Sequence, residues 1–357
     1  EMFLPPPEEA RRGAGRFVSS FVGEDAVTSA LIRLREGTTA KVAFTTGHGE
    51  SGSDPAAVDG SGLQAWRSRL RNVGCEVVDL NLLTGGVPED VELVVIAGPK
   101  EPFKPQEAAR LQAYADTGKP VLACLGQGPT GLEDFLKGFN LEIGPGVVVD
   151  PESNLDAQYR LVFCLFEPSL AHPVTRGFDA NRPVLIVNGA PIRLLGAGGA
   201  GEDRAGEVNH RMIPTPILRS RPGSWVETEP DDGQPVLDKE KDQPGPAVVA
   251  VAVADRGAAA TGAVSGPQTP RLVLISSRGV GDDAVQAVEP TNLDLLMNAA
   301  SWLRGREDSV GLPPQVHASL TLTADPGLRW RLILVPTVVS MAVVAVAGVL
   351  VYYIRQE

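Results

Sequence analysis

Glu92-Leu93-Val94-Val95-Ile96-Ala97 is an almost wholly apolar run of strand length that stops at Gly98-Pro99. A strand with one wet face alternates apolar and polar residues, so a continuous apolar run marks a strand covered on both faces. Lys41 to Thr46 and Glu76 to Leu80 are predicted as further strands, and Pro120 to Leu125 as the next buried one. Helical spacing fills the gaps between them. Leu63, Trp66 and Leu70 predict a helix over Gly62 to Val73; Ala108, Leu111 and Tyr114 predict another from Pro105 to Gly118; a third is predicted from Gly131 to Phe139. Apolar strands alternating with amphipathic helices predict an α/β fold with a mostly parallel sheet flanked by helices, of flavodoxin-like or class I amidotransferase-like type.

The second half is less regular. Arg160 to Phe166, Val184 to Val187 and Ile192 to Leu195 are predicted as strands joined by loops, and Val248 to Ala254 and Leu272 to Ser276 as apolar strands. Gly196 to Gly206 is glycine-rich and Glu227 to Gly245 is acidic and proline-containing, so both are expected as mobile surface loops. A helix over Thr291 to Leu303, with Leu295, Leu296, Ala299 and Trp302 on one stripe, closes the domain. At the other end, Asp25 caps a predicted lead-in helix carrying Val27, Leu31 and Leu34.

Leu332 to Ile354 is a 23-residue stretch whose only ionisable side chains are Tyr352 and Tyr353. As a helix it would reach roughly 34 Å, enough for a bilayer core of about 30 Å. Arg329, Trp330 and Arg331 flank one end and Tyr352, Tyr353 and Arg355 the other, the places where rings and snorkelling cations favour the interface. A C-terminal transmembrane helix is expected, with Gly348 and Ala342, Ala345 and Ala347 offering small residues for packing against another membrane helix. The resulting organisation is a lead-in over 1–38, an α/β domain over 39–305, a proline-containing tether over 306–330, and the anchor with a short tail over 331–357. Position 1 is Glu, so the chain is expected to be a fragment or a processed product.

The net charge of −12 argues against a nucleic-acid partner, whose phosphates would repel it. Cys75, Cys124 and Cys164 lie beside or within apolar strand-like runs and are odd in number, which favours buried small hydrophobes over a disulfide framework. No phosphate-cradling G-x-x-x-x-G-K-[ST] occurs, so the chain is not expected to hydrolyse nucleotide itself through a P-loop.

Gly47-His48-Gly49-Glu50-Ser51-Gly52 matches G-x-G-x-x-G after the first strand, but a dinucleotide site needs the glycine turn to open directly into a helix. Residues 53–61 intervene here, including Asp54 and Asp59, so no cofactor is expected. His48, Glu50 and Asp54 are too few, on a loop, to predict a metal site. Cys124, before Gly126 and Gly128, resembles a nucleophile elbow, and with His48 as base it would suit an amidotransferase-like or hydrolytic enzyme. The elbow's preceding glycine is Leu122 and no helix follows directly, so a core cysteine is preferred. His172, His210 and His317 are expected at the surface or as caps. His48, Glu50, Lys100 and Gln127 are the candidate ligand-binding residues, because open α/β sheets bind ligands at their carboxyl edge.

Thr46-Gly47-His48-Gly49-Glu50, Leu93 to Pro99, His172-Pro173-Val174-Thr175, and Asn292 to Leu303 before a C-terminal anchor together resemble the GldG-like auxiliary subunits of ABC transport systems, associated with gliding motility. The resemblance covers roughly residues 24 to 354. It implies a non-catalytic accessory subunit in the bacterial inner membrane, with a periplasmic α/β domain and with the permease and ATPase on separate chains. It also implies a ligand or envelope partner for that domain, and it carries no catalytic residues. A structural scaffold of a motility machine is the other non-enzymatic reading.

Overall fold

The structure is a computed structural model that describes residues 40–52, 62–153, 155–156, 158–166, 172–178, 182–196, 208–230, 233–257, 268–306, 338 and 340–341. The chain divides into two compact units, Glu1–Pro313 and Pro314–Glu357. In the second, the described residues are Val338, Ser340 and Met341, all helical. Trp330, Leu332, Gly348, Tyr352 and Tyr353 of the expected anchor lie outside the described residues, as does the lead-in helix from Asp25. Among the described residues no helix is long and apolar enough to cross a membrane.

The first unit begins with β1 (Ala40–Thr45), α1 (Gln64–Asn72), β2 (Cys75–Leu80), β3 (Val91–Ala97), α2 (Pro105–Asp116), β4 (Val121–Leu125) and α3 (Glu133–Gly138). Short strands β5 (Leu141–Ile143) and β6 (Val147–Val149) follow, then β7 (Leu161–Phe166), β8 (Val184–Val187), β9 (Ile192–Leu194) and β10 (Met212–Arg219). The chain continues through β11 (Trp225–Glu227), β12 (Gln243–Pro244), β13 (Val248–Asp255) and β14 (Thr269–Ser276) to α4 (Asp283–Val288) and α5 (Thr291–Leu303).

Nine strands form one sheet in the order β2-β1-β3-β4-β14-β13-β10-β7-β8. Pairing is parallel from β2 to β14 and antiparallel from β14 to β8. The sheet is therefore mixed, which corrects the expectation of a mostly parallel one. The cause lies in the connections: a parallel pair needs a crossover of a dozen residues or more, usually a helix. Among the described residues between β7 and β13 no α-helix supplies one.

Both faces of the central sheet are buried. Phe44, Val95, Leu122 and Ile275 point to one face, where α1 contributes Trp66 and Leu70 and α5 contributes Leu295, Leu296 and Ala299. Val94, Ile96, Ala123 and Leu274 point to the other, covered by Leu111 and Tyr114 of α2 and Phe135 and Leu136 of α3. This alternation is the period of two expected of strands packed on both sides. Cys75, Cys124 and Cys164 are all buried thiols.

Two segments differ from expectation. β10 contains Pro214 and Pro216, which lack the backbone donor a central strand needs; it pairs with β13 along most of its length but meets β7 only at Leu218 and Arg219. The described part of the acidic segment after β11 is anchored rather than loose. Asp242 is buried and accepts from the backbone N–H groups of Thr228 at 3.1 Å and Asp238 at 2.8 Å, so its charge organises the turn instead of solvating it.

Side chains close the outer edge of β8. Asn292, fully buried at the start of α5, accepts from Leu185 N–H at 2.9 Å and donates to Leu185 C=O at 2.7 Å. Ser277 Oγ likewise meets the Val187 N–H and C=O, each at 3.1 Å. Asn292→Ala leaves both Leu185 groups buried without partners, which is expected to cost about 3 kcal/mol, read as a lower urea midpoint with an unchanged m-value.

Candidate functional site

The carboxyl ends of β1, β3, β4 and β14 converge on one edge of the sheet, and the turn after β1 folds down over β3. Ser51 N–H donates to Ala97 C=O at 2.9 Å, and His48 C=O accepts from Lys100 and Glu101 N–H at 2.8 and 3.0 Å. Gly98 makes this approach possible. Its φ is +68°, and a Cβ there would stand 2.3 Å from Arg278 C=O and 3.1 Å from Ser51 Oγ, so only glycine fits where the three turns meet.

This folding buries His48 between two glutamates. Nδ1 lies 3.0 Å from Glu50 Oε1 and Nε2 lies 3.0 Å from Glu107 Oε2. Glu50 Oε2 also accepts the His48 backbone N–H at 2.7 Å, and Glu107 Oε2 accepts Lys104 N–H at 2.9 Å. The ring stacks on Phe103, with centroids 4.0 Å apart. His48 is 4 % exposed, Glu50 3 % and Glu107 0 %. Glu107 sits in the first turn of α2 behind Pro105, the position where a glutamate turns back to the entering backbone. The same carboxylate thus fixes the helix start and holds the imidazole.

Burial by itself pushes the His48 pKa down, but the hydrogen bonds to Glu107 and Glu50 and their charges outweigh it and raise the pKa. With an acceptor at each nitrogen, both donate as N–H groups and the ring carries its charge. Such a ring has no free nitrogen with which to take a proton from a substrate. Glu107 Oε1 is buried without a hydrogen-bond partner among the described residues.

The expected site residues therefore separate. His48 and Glu50 come together, while Lys100 is exposed and contributes its backbone N–H to the turn. Gln127 is half-buried in the turn after β4, where it lines a pocket of about 380 Å³ with Arg278. Glu107 and Phe103 were not anticipated, although Pro105 followed by a glutamate two residues on was the available signal. Asp79, a possible ribose acid in a dinucleotide reading, is taken by Arg67 at 2.7 Å, and α1 begins at Gln64, well after the glycine turn.

Cys124 does not form a dyad with His48. It packs on the face of the sheet that holds Trp66, whereas Phe103, on which His48 stacks, belongs to the opposite cluster. Burial, with the charge of Asp282, pushes the Cys124 thiol far up, so it stays protonated near neutral pH. His172 caps the turn Pro173–Thr175 by accepting from Val174 N–H at 3.2 Å, and burial pushes its pKa down to about 4. His210 is exposed and His317 lies outside the described residues. Among the described residues no cluster of three or more His, Cys, Asp or Glu has a metal-holding arrangement.

A family model described as an ABC-type uncharacterized transport system matches residues 39–299. No curated protein matches the sequence. Solved structures similar in fold include the mmIFT52 N-terminal domain, at 15% identity over 74% of this chain and 97% of that one, with a TM-score of 0.47. A ThuA-like protein from Bacteroides uniformis follows at 12% identity, 74% and 91% coverage and a TM-score of 0.41. The exo-beta-1,4-mannosidase Op5Man5 from Opitutaceae bacterium strain TAV5 has 10% identity, 76% and 37% coverage and a TM-score of 0.36. These likenesses are too distant to bear on chemistry.

His48→Gln strands two buried carboxylates opposite a neutral amide, and a loss of about 3–5 kcal/mol in unfolding free energy is expected. Because the folded-state pKa is raised, the contribution of the charged ring is full below its ordinary value of 6.5 and disappears as pH climbs through the raised value. The gap between the parent and His48→Gln should accordingly narrow as denaturation is repeated at increasing pH. A gap that widens with pH would show a neutral ring in the folded protein.

Proposed function

The chain belongs to the family of ABC-type uncharacterized transport systems, and we propose that it serves there as a non-catalytic, membrane-anchored accessory subunit of GldG-like type. The family match over residues 39–299 is the observation that carries this reading. In the proposal, Leu332 to Ile354 spans the bacterial inner membrane and the α/β domain lies on the periplasmic side, where it meets a ligand or an envelope partner. The permease and ATPase are separate chains, and gliding motility is the process with which such a system would be linked.

Two features of the site support a binding rather than a catalytic role. The histidine has both nitrogens taken by carboxylates, and the cysteine at the end of β4 is a buried, protonated thiol. General-base and nucleophilic catalysis each need an accessible group with a free lone pair.

Affinity purification of the full chain from gently solubilised membranes is expected to recover a multi-span permease and an ATPase. Recovery of neither from membranes that contain both would overturn the assignment. Replacing Gly348 with Leu is expected to reduce that recovery while leaving the α/β domain folded, as judged by its near-UV circular dichroism. For the non-catalytic reading, Cys124 in the folded chain should resist alkylation at neutral pH and react only on unfolding; rapid labelling of the native protein would favour a catalytic thiol.

A further inference from the structure

A second polar site lies one crevice along the same edge, between β4 and β14. Gly126, Gln127, Asn188, Arg160 and Arg278 line a pocket of about 380 Å³, within the range of small-molecule sites. Val147 and Pro230 add an apolar wall. Among the described lining residues the charged ones are Arg160 and Arg278, in a chain whose net charge is −12. Cationic lining in an acidic protein calls for an explanation other than general surface charge.

The pocket is built before any ligand arrives. Arg278 leaves β14 directly after Ser276 and Ser277, whose hydroxyls hold Ala190 N–H at 2.8 Å and Val187 N–H at 3.1 Å. Those bonds bring the turn after β8 against the end of β14. Asn188 occupies that turn at φ +49° and donates its N–H to Arg160 C=O at 3.0 Å, which ties the start of β7 to the same wall. Val148 N–H of β6 donates to Gly189 C=O at 2.7 Å and fixes the turn from the other side. Four strand ends are thereby held by main-chain and hydroxyl bonds.

Arg278 lies flat across the turn after β4. A Cβ at position 126 would stand 2.7 Å from its Cγ and 2.9 Å from its Nε, so Gly126 is the residue that lets the side chain cross. One terminal nitrogen donates to Gln127 C=O at 2.7 Å, while Nε is buried and has no hydrogen-bond partner among the described residues. The side chain as a whole is half-buried, and a guanidinium with donors to spare is an incomplete arrangement, because removing such a group from water is offset only when its N–H groups find acceptors.

We propose that this pocket binds a small molecule through a carboxylate or phosphate group, with Arg278 and Arg160 as its cationic contacts and Gln127 and Asn188 beside them as polar neighbours. Guanidinium groups match both oxyanions in geometry and charge. The proposal supplies a ligand class for the accessory-subunit reading, yet it concerns the isolated chain, so failure to bind an anion and failure to recover a permease are separate results.

The test uses the purified 357-residue chain, titrated with inorganic phosphate and separately with acetate by calorimetry, at constant ionic strength balanced with chloride. Saturable binding of either anion is expected, and the one that binds more tightly identifies the oxyanion. Arg278→Lys keeps the charge but loses the fork and should weaken binding at least about tenfold. Since Arg278 also braces Gln127, a second variant guards against a folding artefact. Asn188→Asp is nearly isosteric, is tolerated at positive φ, and places a negative charge in the wall; it should weaken binding similarly with the unfolding midpoint changed by no more than about 2 °C in the absence of anion. Failure of both anions to saturate, or saturation that neither variant alters, would overturn the proposal.

Discussion

Burial of the central strands on both faces is the constraint from which the other features follow. Val94, Val95, Leu122, Val273 and Leu274 expose nothing to solvent, so β3, β4 and β14 have no wet side on which to carry polar side chains. Polar chemistry is confined to strand ends and to the turns that leave them. The same burial governs direction, because a strand covered on both faces must return over one of them, and in the first half of the chain α1 and α2 do this on opposite faces. Where the described residues supply no helix between strands, pairing is antiparallel. The end of β8 comes back to the end of β14, where Ser276 and Ser277 receive it.

At the first of these crowded ends the molecule accepts a cost that an apolar contact would avoid. Two carboxylates and an imidazolium are taken out of water, and buried ionic groups of this kind are often no more stabilising than well-packed hydrophobic ones of similar size. What the cluster supplies is a fixed relation between parts distant in sequence. Glu107 holds the entry to α2 through Lys104 N–H and the turn after β1 through His48. A leucine cluster in the same volume would tolerate sliding of that turn; three charged groups with defined donors and acceptors do not.

Much of this was legible from residue order. The apolar runs and the helical spacing of Leu63, Trp66 and Leu70 or of Leu111 and Tyr114 placed the strands and helices of the first half to within a few residues, since both signals are local. β10 was missed because Pro214 and Pro216 mark a segment against a central strand, and only its neighbours reveal that the ladder with β7 is short. Sheet direction in the second half was misjudged for a related reason: apolarity reports burial, and an antiparallel strand covered on both faces has the same composition as a parallel one. Of the site, His48 and Glu50 were accessible because they share a loop. Glu107 is 59 positions from His48, and Arg278 is 151 from Gln127, so their meeting is a property of the fold.

The strand order also bears on why the open pocket lies where it does. In the sequence β2-β1-β3-β4 the chain reverses its direction of travel across the sheet between β1 and β3, and a sheet of this kind usually opens its ligand crevice at that point. Here the turn after β1 lies across the end of β3, with His48 C=O closed by two N–H groups and its ring stacked on Phe103. The usual crevice is filled by the protein itself. The next opening along the edge is between β4 and β14, the last parallel pair, where Gly126 leaves room for a side chain and the antiparallel half of the sheet supplies a second wall through Asn188 and Arg160. A plug at the first crevice and a pocket at the second are thus two outcomes of one topology, and the mixed sheet is what provides the second wall.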